Sequence, residues 1–205
     1  MNNVGTTILE TERLLLRKGT LDDATQVYEN YGKDPLVSKY VVWNQHQSVD
    51  DAIKLMEKWQ ESYKKNNSYK WLVIEKYSQT VVGSITAVKV DDVNKTIAVG
   101  YCFGSRWWNK GFATETLKRV IKFFFEEVGV ETIYANHLSS NIASGKVMKK
   151  AGMKFEGTLR NRMIDKISNK PMGLEAYSII KEDYYNYKIW VNGLLIIKPY
   201  KKINK

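Results

Sequence analysis

The chain has 205 residues, enough for one domain that buries well over half of the surface its unfolded chain exposes. With 43% hydrophobic and 26% charged residues it is not an intrinsically disordered chain, and no apolar run reaches the roughly eighteen residues of a membrane span. Two distant histidines and a single cysteine, Cys102, leave no disulfide and no His/Cys metal cage, and the net charge of +10 comes from dispersed lysines that read as a solvated surface.

The first strand is expected at "ERLLLRK" (12–18), followed by a helix over "GTLDDATQVYENYG", with Thr20 and Asp23 spaced as a capping box. A short helical turn and loop cover 34–43. Ser48 and Asp51 repeat the capping spacing before a helix with Val49, Ala52, Ile53, Met56, Trp59 and Tyr63 on one apolar stripe. Strands at 69–76, 81–90 and 96–103 form an antiparallel meander. A helix over 112–128 points Ala113, Leu117, Val120, Ile121, Phe124 and Val128 inward. A strand (130–136), a helix (141–152, ended by Gly152), a strand from Met153 and a last strand (173–181) complete one α+β domain over 1–185. Residues 186–205 form a basic extension in which "WVNGLLII" reads as an added strand or a subunit contact.

The stretch "GSRWWNKGFATETLKRVIKFFFEE" (104–127) crowds conspicuous residues at a helix start. A helix N-terminus exposes unpaired N–H groups and partial positive charge. Gly111 lets the backbone approach a ligand, Ala113 keeps the next turn small, Thr114 adds a hydroxyl and Lys110 a charge. That combination suits a diphosphate.

In context the loop resembles motif A of the GNAT superfamily of acyl-CoA-dependent N-acyltransferases. The pattern Q/R-x-x-G-x-G/A is matched by Trp108-Asn109-Lys110-Gly111-Phe112-Ala113. "GYCFGSRWWNKGFATETLKRVIKF" is similar to the "GY…WWGKGYATEA" stretch of the RimJ/RimL-like branch, which acetylates ribosomal-protein N-termini and other amines. "SSNIASGKVMKKAGMKFEGTLR" resembles that branch's "N-x-x-S-…-GF-x-x-EG-x-x-R", "TERLLLRKGTLDDA" its opening and "AYSIIKEDY" its closing strand. The chain departs from the branch at Trp108 (Gln or Arg in the broader pattern), Asn109 (often Gly), Met153 (Phe) and Ala98. In many relatives a glutamate that helps to deprotonate the amine stands at the place of Ala98.

The resemblance implies the GNAT fold, a mixed, mostly antiparallel sheet flanked by helices, and acetyl-CoA as cosubstrate without a metal. It implies Tyr101 to Phe103 on the strand beside the pantetheine arm, with Phe103 among the cofactor contacts, and Arg106, Asn109, Lys110, Gly111, Phe112, Ala113 and Thr114 around the diphosphate. Asn141 and Ser144, three apart and sharing a helix face, would serve the thioester, with Ser144's hydroxyl near the departing thiolate. These two are the candidate catalytic residues, although Asn141 is also a good N-cap. A cytoplasmic N-acetyltransferase acting in a ternary complex is the implied activity. Its acceptor is a protein N-terminal α-amine or a small amine, and a catalytically silent CoA-binding module is the rival. A homodimer or higher homo-oligomer is left open; nucleic acid is not an expected partner, since no reading motif is present.

Other residues have blander readings. Glu115 complements the dipole in the first turn of its helix. Glu115, His137, Asp165 and Glu175 are all possible ends of a proton-carrying water chain, but His137 reads first as a solvated loop residue. Cys102 reads as core, Trp107 and Trp108 as loop packing or an acceptor entrance, and Phe123, Phe124 and Phe125 as core and subunit contacts.

Overall fold

The computed structural model describes residues 1–166 and 168–186, and of the tail the backbone of Lys188–Val191 and Leu194–Ile197. The predicted first strand is two: β1 (Leu9–Glu10) and β2 (Leu14–Arg17), which fold back on each other. The first helix begins as one tight turn, continues as α1 (Ala24–Val27) and widens into a π-turn at Tyr28–Gly32. The Thr20–Asp23 capping box is present, and Asp23 also receives both terminal nitrogens of Arg17 at 2.7 Å. A short α2 (Pro35–Ser38) leads to α3 (Val49–Ser62), capped by Ser48 and Asp51 as expected.

Strands β3 (Lys70–Glu75), β4 (Thr80–Asp91) and β5 (Thr96–Phe103) form the expected meander. Helix α4 (Phe112–Phe123) follows, then β6 (Thr132–Leu138), α5 (Ile142–Lys150), β7 (Lys154–Ile164), β8 (Pro171–Ile180) and α6 (Lys181–Tyr185). The eight-stranded sheet runs β1-β2-β3-β4-β5-β6-β8-β7, and within it β5 and β6 are the parallel pair. In the tail, β9 (Lys188–Val191) and β10 (Leu194–Ile197) pair as a separate hairpin; the side chains of the proposed subunit contact lie outside the described residues.

Apolar packing fills both faces of the sheet. The α3 stripe buries Ala52, Met56 and Trp59 against Leu72, Ile74 and Val81. On the other face α4 buries Leu117, Val120 and Ile121 against β-strand residues such as Val73, Ile97 and Val99. The predicted helix over 112–128 is regular to Phe123 and then widens into a π-turn over Phe124–Val128. Phe123, Phe124 and Phe125 are all buried there. Three consecutive residues span about 200° of a helix perimeter, so one packing face cannot cover them. Phe123 and Phe124 meet Tyr69 and Trp71, while Phe125 stacks on Tyr184 of α6 at 4.9 Å.

Candidate active site

The parallel pair opens the sheet. Strands β5 and β6 are in register only from Thr96↔Thr132 to Ala98↔Tyr134, so residues 99–103 leave their neighbour. Parallel strands end on the same side, so the loops into α4 and α5 both leave at the carboxyl end of this opening. Ligands of α/β sheets gather at such strand ends.

At the start of α4 the chain takes two left-handed residues, Asn109 (φ 61°) and Gly111 (φ 83°). Asparagine tolerates that region better than most residues and glycine enters it without strain. A Cβ on Gly111 would meet only Arg13 Nη2, at 3.4 Å, so its outer side is open. Among the described residues no side chain caps this helix, which leaves the first-turn amides of Phe112, Ala113 and Thr114 without a capping acceptor. Lys110 and Asn109 are exposed beside them, Ala113 and Thr114 are half-buried, and the Phe112 ring is buried in the core. The mouth therefore fits a diphosphate: free amides, a lysine, and a glycine whose missing side chain leaves room.

A brace from the first strand pair fixes this mouth. Arg13 donates to the Lys110 carbonyl at 3.0 Å, grips Glu115 Oε2 at 2.6 and 2.8 Å, and stacks over the Phe112 ring at 4.6 Å. Thr11 donates to Glu115 Oε1 at 2.6 Å. Burial pushes the Glu115 carboxyl up, but these hydrogen bonds outweigh it and hold it below the usual range. Glu115 stands in the first turn of α4 as expected, and the structure pairs it with Thr11 and Arg13; the brace itself was invisible in the sequence, its partners lying 102 positions apart.

The remaining loop residues pack. Phe103 is buried and its carbonyl accepts the Trp108 indole N–H at 2.7 Å. Arg106 is exposed, stacks on Trp107 and donates to Asn30 Oδ1 at 3.1 Å. Cys102 packs with the α3-side core, where burial raises its thiol to about 11 against the opposing pull of Ser84.

Across the opening, Asn141 Oδ1 accepts the Ser144 N–H at 3.2 Å, so the N-cap expected of it is formed. The Ser144 hydroxyl lies 2.9 Å from the Tyr101 hydroxyl. The structure thus joins Asn141 and Ser144 to β5 through a residue whose hydroxyl the sequence reading passed over. The available signal was parity: Tyr101 shares the buried face of β5 with Val99 and Phe103, and a buried tyrosine hydroxyl needs a partner.

His137 is not a solvated loop residue. It ends β6 on the inward parity of Ile133 and Ala135, and is 6% exposed. It stacks on Tyr177, its Nδ1 lies 2.7 Å from the Leu138 carbonyl and its Nε2 lies 3.4 Å from Glu175 without hydrogen-bond alignment. Asp165 organises the β7–β8 turn, accepting from Ser168 N–H and hydroxyl at 2.9 and 2.7 Å. Ala98 is buried and leaves its strand position without a carboxylate. Among the described residues no group of three or more His, Cys, Asp or Glu is placed to hold a metal, and no helix is long and apolar enough to cross a membrane.

A mostly antiparallel sheet parted at one parallel pair, with two helix mouths at the opening, is the architecture of the acetyl-CoA-dependent acetyltransferases. The chain belongs to the GNAT family among them: residues 13–154 match the acetyltransferase (GNAT) domain. It is 31% identical over 176 residues to the uncharacterized N-acetyltransferase YnaD of Bacillus subtilis (strain 168), covering 86% of this chain and 98% of that protein. The crystal structure of a GNAT-family acetyltransferase from Bacillus anthracis superposes with a TM-score of 0.74 at 27% identity, covering 86% of this chain and 99% of that one. The ribosomal L7/L12 α-N-protein acetyltransferase RimL, solved with coenzyme A, shares the fold at a TM-score of 0.77 and 14% identity, over 85% of this chain and 98% of that one.

Proposed function

We propose that this acetyltransferase acetylates a primary amine by direct attack within a ternary complex, and that its acceptor class is the protein N-terminal α-amine. The single observation that carries the cosubstrate assignment is the α4 mouth, open at Gly111 and uncapped by any side chain among the described residues. The Phe112–Thr114 amides and Lys110 would hold the diphosphate; each such charged hydrogen bond contributes about 1.5–3 kcal/mol. When bound, acetyl-CoA supplies a thioester carbonyl activated toward amines. Ser144 would donate a hydrogen bond to the departing sulfur, and Asn141, as the cap of α5, keeps that hydroxyl in place. Residues 1–185 carry this activity, with 186–205 an extension beyond it, and the single cysteine suits the cytoplasm.

The acceptor class follows from proton supply. An α-amine with a pKa near 7.8 is roughly 10–15% neutral at pH 7, and a lysine below about 0.1%. That difference is about 3.5 kcal/mol, which a base or desolvation has to offset. With Ala98 where a strand carboxylate could stand, the low-pKa amine is the better match.

Labelled acetyl-CoA offered with a free peptide, the same peptide N-terminally blocked but containing lysine, and spermidine tests this reading. Label is expected on the free α-amine. Label confined to lysine or spermidine overturns the acceptor class, and cofactor binding with no transfer to any amine overturns the activity.

A further inference from the structure

The Tyr101 hydroxyl touches Ser144 twice, at 2.9 Å from its Oγ and 3.1 Å from its carbonyl oxygen. A phenol has one proton to give, and the carbonyl can only accept. Two proton arrangements are open, the first filling both contacts and the second only the one between the two hydroxyls. In the first, Tyr101 donates to the carbonyl and Ser144 donates back to the phenol oxygen, so the serine proton points inward. In the second, Tyr101 donates to Ser144 Oγ, and the serine proton is free to point into the opening. Rotation of two hydroxyls interconverts them, with no movement of heavy atoms.

We propose that Tyr101 is a positioning residue for acetyl transfer, its phenol setting the Ser144 hydroxyl between an inward arrangement and an outward one that donates to the leaving sulfur. The proposal rests on the role given to Ser144 above and adds what makes that hydroxyl a donor at the right moment. As the C–N bond forms, the C–S bond breaks and its electron pair stays on sulfur. Ser144 Oγ–H donates to that thiolate without surrendering its proton, and the proton lost by nitrogen passes to solvent. Burial pushes the Tyr101 phenol up, against the opposing hydrogen bond to Ser144, so it keeps its proton in neutral solution. The phenol also links the two sides of the opening, β5 and α5, beyond the point where β5 and β6 stop pairing.

The test uses coenzyme A itself, whose free thiol stands for the departing group, with desulfo-coenzyme A as the control lacking sulfur. Ultraviolet absorbance of the bound thiolate is followed against pH in the wild type, Tyr101→Phe, Ser144→Ala and the double variant. In the wild type the bound thiol is expected to ionise at lower pH than free coenzyme A. In each single variant that midpoint should rise by about half a pH unit or more, since the hydrogen bond to the anion is weakened. The double variant should shift no further than Ser144→Ala, because the two hydroxyls act as one unit. Calorimetric affinity for desulfo-coenzyme A should stay within about twofold, and kcat should fall with the KM for acetyl-CoA unchanged. A Tyr101→Phe protein that titrates as the wild type while Ser144→Ala shifts overturns the role of Tyr101. If Ser144→Ala also titrates as the wild type, the assignment of Ser144 itself falls, which is a different failure. Should Tyr101→Phe not fold, Tyr101→Leu is the second hydroxyl-free variant, judged by the same titration.

Discussion

At the start of α3, Asp51 accepts from the backbone N–H groups of Gln47 at 2.8 Å and Ser48 at 3.4 Å, and Ser48 caps the first turn in return. At the start of α4 the corresponding position is Gly111, in a left-handed conformation with no side chain to offer. Both helices have a buried stripe and both carry a carboxylate in the first turn. The difference is where that carboxylate goes. Asp51 turns back onto its own helix mouth, whereas Glu115 reaches sideways to Thr11 and Arg13 and leaves the α4 amides open. On the proposed function, a fold that closes one helix mouth with its own atoms and braces the other from outside separates a stability task from a binding task.

The sharpest way to break this comparison is Gly111→Val. A branched side chain at φ 83° is strained, and its Cβ comes to 3.4 Å from Arg13 Nη2 on the otherwise open side of the mouth. Acetyl-CoA affinity by calorimetry should fall at least tenfold, about 1.4 kcal/mol, in a protein that still melts cooperatively. Unchanged affinity in the folded variant would falsify the assignment of the α4 mouth. The complementary change, Ser48→Ala, should cost roughly 0.5–2 kcal/mol of stability, seen as a melting temperature lower by a few degrees. Its acetyl-CoA affinity should match the wild type; a drop would mean that the two mouths are not separate.

The smallest effect is expected at Glu115. Its folded-state carboxyl lies below the ordinary value, so its contribution to stability is complete above about pH 4.5 and fades as pH falls through the folded value. Glu115→Gln should therefore melt below the wild type at pH 7, and the gap should narrow in melts run from pH 4.5 downward. A gap constant across that range would remove the Arg13–Glu115 brace as an electrostatic device.

What was legible in the sequence was what neighbours within a turn or two decide. The Thr20–Asp23 and Ser48–Asp51 boxes, the α3 and α4 stripes and the glycine at the α4 mouth all express local geometry, and the structure contains each of them. The remainder depended on the order of strands. Arg13 meets Glu115 only because the turn into β2 comes against the start of α4, and His137 is buried only because α5 packs on β6. A bare Gly145 helps there: a Cβ at that position would sit 2.7 Å from His137 Nε2. The Tyr101–Ser144 pair was half visible, as the serine carried a motif and the tyrosine only a parity.

The two edges of the sheet differ in length but share a property. β1 is two residues long, and β7 slips register between Phe155 and Gly157 and again between Leu159 and Met163, with Arg160 and Arg162 exposed along it. Short, bulged and charged edges are poor templates for the addition of a foreign strand. An eight-stranded sheet with such borders resists growing into a ribbon of stacked copies during synthesis at high concentration, even though its interior strands are among the most apolar segments of the chain.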